Sequence, residues 1–154
     1  MSDPVRAVLA RQLDTAWALA RHHMGGLSTA EMLWRPAPRG PHVHARPDGR
    51  WRADCARVAD ALDEIGFWWS MALDHAFGEG MLVREDVLLP PTADAACAWI
   101  GGLADAWRAA LAELTTEDLR STERTRWPFR DRPFGDVVAW VNVELTKNAA
   151  EIGY

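Results

Sequence analysis

Apolar residues recur every three or four positions through four long stretches of this chain. The first holds Val5, Val8, Leu9, Leu13, Trp17 and Ala20, and the spacing predicts a helix over 4–24. The second holds Val58, Leu62, Ile65, Trp69, Ala72 and Leu73, within a predicted helix over 53–77. The third is the cleanest, with Ala96, Trp99, Ile100, Leu103, Trp107, Ala110, Leu111 and Leu114, and predicts a helix over 94–114. The fourth, Val138, Val141, Leu145, Ala149 and Ile152, predicts a helix over 136–152. None of the four shows the period-two alternation of a strand. Four amphipathic helices of this length imply an all-α fold, a four-helix bundle, in one domain spanning 1–154.

The punctuation between the stripes agrees with them. Ser2 or Asp3 can cap the first helix, with Pro4 in its first turn, and Gly25-Gly26 stops it. Ser28 and Glu31 have the spacing of a capping box and predict a short helix ending near Trp34. The segment Arg35 to Arg50 carries four prolines and two glycines and is expected to be a loop. Gly78 and Gly80 end the second long helix. Met81 to Pro91 is expected to be an extended connection, and Thr92 or Asp94 to cap the third helix. From Thr115 to Pro133 the chain is polar and holds five arginines, which predicts a solvated loop tethered by Trp127 and Phe129.

Composition narrows the function classes. Hydrophobic residues make up 49% and charged residues 25% of 154, ordinary for a globular protein, and the net charge of -5 disfavours nucleic acid as a ligand. Lys147 is the only lysine; with abundant arginine and alanine, this is read as a coding bias. Cys55 and Cys97 form no CxxC pair and fit a reducing compartment. Charged residues at Asp3 and Arg6 argue against a signal peptide, and no apolar run approaches the roughly 20 residues of a membrane span. A cytoplasmic protein without a membrane partner is expected. The nine tryptophans fall mostly within helical stripes and are assigned to core packing.

Histidines offer weak leads. His22 and His23 suit the dipole at the end of the first helix, but adjacent helical residues point in different directions. His42-x-His44 lacks a third ligand nearby, so a loop role is preferred to a metal clip.

Polar residues inside apolar stripes carry more information, because buried polar groups need partners. Glu144 and Asn148 are one turn apart within or beside the stripe of the last helix, with Glu151 a turn further. Glu64 lies beside the stripe of the second long helix, on the side of Ala61 and Trp68. Two mid-helix carboxylates on inward faces can meet only inside a bundle. They are expected to approach each other across a pocket, with Asn148 on its wall and Trp68 or Trp140 nearby. Such a pair must share a cation, a proton or an arginine such as Arg57.

The run EIGFWWS at Glu64–Ser70 and the run from Arg132 to Ile152, RPFGDVVAWVNVELTKNAAEI, together resemble the DinB/YfiT-like superfamily. The segment from Leu27 to Pro38, LSTAEMLWRPAP, matches it too. The resemblance covers nearly the whole chain and implies an antiparallel four-helix bundle, often a homodimer. It also implies a divalent metal held by a histidine on the second long helix and two ligands four apart on the last. Members include thiol-dependent S-transferases using bacillithiol or mycothiol, and a maleylpyruvate isomerase. Carried over, the ligand positions are Glu64, Glu144 and Asn148; in the members nearest to the isomerase the first ligand of the last helix is itself a glutamate. Both expected histidines are absent, and His75 lies eleven residues from Glu64, about 16 Å along a helix. Two carboxylates and an amide favour magnesium, manganese or calcium over zinc or nickel, or no metal at all.

Three functions follow. The first is metal-dependent transfer between a small molecule and a low-molecular-weight thiol, with Glu64, Glu144 and Asn148 as ligands. The second is a metal-free member that binds a small molecule without turnover. The third is a satisfied polar network inside the core.

Overall fold

The computed structural model describes residues 4–37, 42–45, 51–54 and 57–153, with only the backbone for 42–45 and 51–54. Its elements are α1 (Pro4–Met24), α2 (Thr29–Leu33), β1 (His42–Ala45), β2 (Trp51–Asp54), α3 (Val58–Phe77), a 3-10 turn (Arg84–Asp86), α4 (Ala93–Ala112), α5 (Thr116–Arg120) and α6 (Phe134–Ile152). The proposed caps at Ser2 and Asp3, the thiol of Cys55 and the side chains of His42 and His44 lie outside the described residues.

The four long helices close a ring. Helix α1 packs on α6, α6 on α3, α3 on α4, and α4 on α1. Each turns an apolar stripe inward, and the stripes meet in one continuous core with Leu13, Leu62, Trp69, Ile100, Trp107 and Val141 at its centre. Core burial of this kind, rather than intrinsic propensity, holds such helices. No helix among the described residues is long and apolar enough to cross a membrane.

Four expectations need correction. The first stripe is turned: Leu9, Leu13, Ala16, Trp17, Ala20 and Met24 are buried, while Val5 and Val8 lie exposed. Val8 sits about 100° around the helix from Leu9 and so off the buried face, while Val5 shares the face of Leu9 but lies in the exposed first turn. Helix α3 starts at Val58 rather than near 53, because residues 51–54 are paired as a strand instead. The Asp60 carboxylate accepts from the Arg57 backbone N–H at 2.8 Å and fixes the new start. The segment expected as a loop contributes β1, which pairs antiparallel with β2, His42 opposite Asp54 and Ala45 opposite Trp51. Proline and glycine surround these short strands without entering them, as hairpins require. Finally, the arginine-rich segment contains helix α5, started by a second capping box, Thr115 with Asp118.

The first capping box is present as expected: Ser28 N donates to Glu31 at 2.9 Å, and Glu31 N to the Ser28 hydroxyl at 3.2 Å. Thr92 caps α4. Gly26, at φ 78°, turns the chain out of α1, a conformation that costs other residues more.

Helix α3 approaches α4 closely at Gly66, where the Trp99 ring lies directly against the glycine backbone. A Cβ there would overlap the ring, whereas one at exposed Gly102 in α4 meets nothing within 4 Å. The same substitution should therefore have opposite signs. Gly66→Ala is expected to lower stability by about 1–3 kcal/mol through overpacking. Gly102→Ala should raise it by about 0.5–1 kcal/mol through helix propensity. Urea denaturation of the two variants measures both.

Candidate functional site

The site is built where α3 and α6 face each other. On α6, Trp140, Glu144 and Asn148 follow at intervals of four residues and so stack on one face. That face is turned into the bundle: Glu144 is 9% exposed and Asn148 0%. On α3, Glu64 and Trp68 have the same spacing, and the Trp68 indole Nε1 donates to Glu64 Oε2 at 3.2 Å. Glu64 is half-buried.

Aromatic rings cover this seam. Trp68 packs edge-on against Trp140, with centroids 5.8 Å apart, and tilts against Trp127 at 5.1 Å. Phe129 meets Trp140 edge-on at 5.4 Å. The polar segment after α5 thus lays Trp127 and Phe129 over the two helices, which is the tethering expected of them. His75 does not reach Glu64's region as a ligand. Its ring stacks on Trp127, and its Nε2 lies 3.0 Å from the carbonyl oxygen of Leu82, which can only accept.

One side chain in the seam escaped its sequence assignment. Lys147, read as incidental, places its Nζ 3.1 Å from Glu144 Oε2. Burial works against the ammonium, but the hydrogen bond and charge of Glu144, then the charges of Glu151 and Glu64, outweigh it and raise the pKa above the ordinary lysine value. Three carboxylates on two helices therefore act on one ammonium. Glu144 and Lys147 are three apart on a helix, a spacing that brings side chains together and that was legible in the sequence. Arg57, considered as a partner for the acids, forms a two-pronged pair with Asp60 instead, at 2.7 and 3.2 Å.

Asn148 is the second unusual group. Neither its Oδ1 nor its Nδ2 has a hydrogen-bond partner among the described residues, and the buried Nε1 of Trp140 is in the same position. Asn142, by contrast, uses its Nδ2 to donate to the Leu9 carbonyl at 3.0 Å and ties α6 to α1. A fully buried amide with four open hydrogen-bond positions costs about 1–3 kcal/mol unless something fills them.

Glu144 Oε2 is already engaged by an ammonium, and a divalent ion bridging to it would stand about 4 Å from that charge. At an effective dielectric constant of about 20, the repulsion amounts to roughly 8 kcal/mol, reduced as the half-exposed lysine swings toward water. Among the described residues no group of three or more His, Cys, Asp and Glu side chains is arranged to hold a metal ion. With Lys147 in place, the residues present do not fit a divalent metal. Two surface hollows lie elsewhere. One runs between α1 and α4 along Arg6, Leu13 and Arg108, the other between α1 and α6 along Gln12, Leu19 and Val143.

Comparison with known families decides the chain's relationship. The model of the DinB superfamily matches residues 12–152, from α1 to the end of α6. The chain belongs to the DinB superfamily. No curated protein and no solved structure matches it. The DinB match spans all four bundle helices and every residue of the α3–α6 seam, so the candidate site lies wholly inside the family domain.

Replacing Asn148 by leucine, close in shape, tests whether the amide is filled. If its polar atoms are open in the ligand-free protein, Asn148→Leu should raise the thermal midpoint, corresponding to about 1–3 kcal/mol. A lowered midpoint would show that water or a ligand already satisfies it.

Proposed function

We propose that this DinB-superfamily chain binds a small molecule at the α3–α6 seam and does so without a bound divalent metal. The contact between Lys147 and Glu144 carries this reading, because it leaves the acid occupied and the amide beside it open. Asn148 would then offer an amide donor and acceptor, Trp140 an indole N–H, and Trp68 and Trp127 flat apolar faces. Small-molecule sites commonly combine an aromatic lining with a few polar groups that fix orientation. A cytoplasmic location and a homodimer complete the proposal; sedimentation velocity should then give twice the chain mass.

A second reading keeps the family's chemistry: metal-dependent transfer to or from a low-molecular-weight thiol, with Glu64, Glu144 and Asn148 as ligands. The unpaired Asn148 Oδ1, on the same face as Glu144, favours it. It requires Lys147 to leave the acid.

Metal analysis of the purified protein and melting with and without chelator separate the two. The metal-free reading predicts no stoichiometric metal and an unchanged melting midpoint on chelation, since only a ligand bound to the folded state shifts it. Retained stoichiometric manganese, magnesium or calcium, removed by chelator with a lowered midpoint, would establish the second reading. Tryptophan fluorescence, dominated in this seam by Trp68, Trp127 and Trp140, should report small-molecule binding, and Asn148→Leu should weaken it.

A further inference from the structure

Glu144 is almost fully buried on α6, and its carboxylate pairs with Lys147, whose ammonium also feels the charges of Glu151 on α6 and Glu64 on α3. A carboxylate buried as Glu144 is needs a positive charge beside it. The chain contains a single lysine, and it stands there, three residues from Glu144 with its Nζ 3.1 Å from the carboxylate. Among the described residues, Arg84 pairs with Asp63 and Arg124 with Asp118. We infer that the Lys147 ammonium is the resident cation of this site and excludes divalent metal from it. The inference rests on the proposed seam for its location, but not on any small molecule being bound there.

The ammonium suits the role better than a guanidinium. It is a compact charge on a flexible stem, anchored on the same helix as Glu144, so it reaches the acid without help from a partner helix. Half of the Lys147 side chain is exposed, so the region is open enough for its removal to be tolerated. Without it, Glu144 would lack its counter-ion, and the open Oδ1 of Asn148, one turn along the same face of α6, would offer a further oxygen donor to a hard cation.

Mn²⁺ titration by calorimetry tests this directly on the wild type, Lys147→Met, Lys147→Gln and Lys147→Arg. The two neutral variants should bind Mn²⁺ at least about tenfold more tightly than the wild type, since removing a nearby positive charge removes its repulsion. Lys147→Arg, which keeps the charge, should not gain affinity. Adding Glu144→Gln to Lys147→Met should abolish the gain. Wild-type affinity equal to that of Lys147→Met, or no gain in either neutral variant while circular dichroism shows each folded, would overturn the inference. Ligand binding by tryptophan fluorescence in metal-free buffer is read separately. A wild type that binds no small molecule, beside a Lys147→Met that gains Mn²⁺, would refute the proposed function and support the resident lysine.

Discussion

Helix α6 packs on two neighbours at once, α1 on one side and α3 on the other. Ten of its nineteen residues are buried, which leaves little of its circumference for polar groups. Everything polar on it must therefore be displayed on the narrow outer face, as Thr146 is, be satisfied inside, or, like half-exposed Lys147, reach in from the edge to a buried acid. Asn142, Glu144 and Asn148 are inside. Asn142 is partly satisfied by α1 through the Leu9 carbonyl. Glu144 is satisfied by its own helix through Lys147. Asn148 has no partner among the described residues. That gradation, from a tied residue to an ion pair to an open amide, marks α6 as the helix on which buried polar groups cost the most stability.

The aromatic cover follows from the same constraint. The segment after α5 is too polar and too arginine-rich to form a core of its own, so it is held by the few rings that reach the bundle. Trp127 and Phe129 lie over Trp68 and Trp140, and Arg132 caps Phe129 with its guanidinium 5.1 Å from the ring centre. Rings at the seam thus do two jobs. They fix a loop without regular structure, and they cover the line where α3 and α6 meet.

Much of this was legible in the sequence, and the failures have physical causes. Helical periodicity located all four bundle helices, and the capping boxes located α2 in advance and would have located α5, since Thr115 and Asp118 have the same spacing as Ser28 and Glu31. The hairpin was missed because its strands are four residues each, too short for an alternation signal against so many prolines and glycines. Glu64, Glu144 and Asn148 stood out as polar interruptions of apolar stripes, and all three lie on or beside inward faces. Lys147 did not stand out, because a lysine on a helix is most often solvated. Only its pairing with a buried acid three residues away distinguishes it, and that depends on which way α6 is rotated against α3.

The central claim is that Lys147 serves as counter-ion to acids from both helices. A double-mutant cycle measures this most directly, pairing Lys147→Met with Glu144→Gln and, separately, with Glu64→Gln, each read by urea denaturation. The account predicts a coupling of about 0.5–1 kcal/mol with Glu144, and a smaller but measurable coupling with Glu64 across the seam. Additive effects in both cycles would contradict it, since they would mean that the ammonium and the acids do not interact in the folded protein.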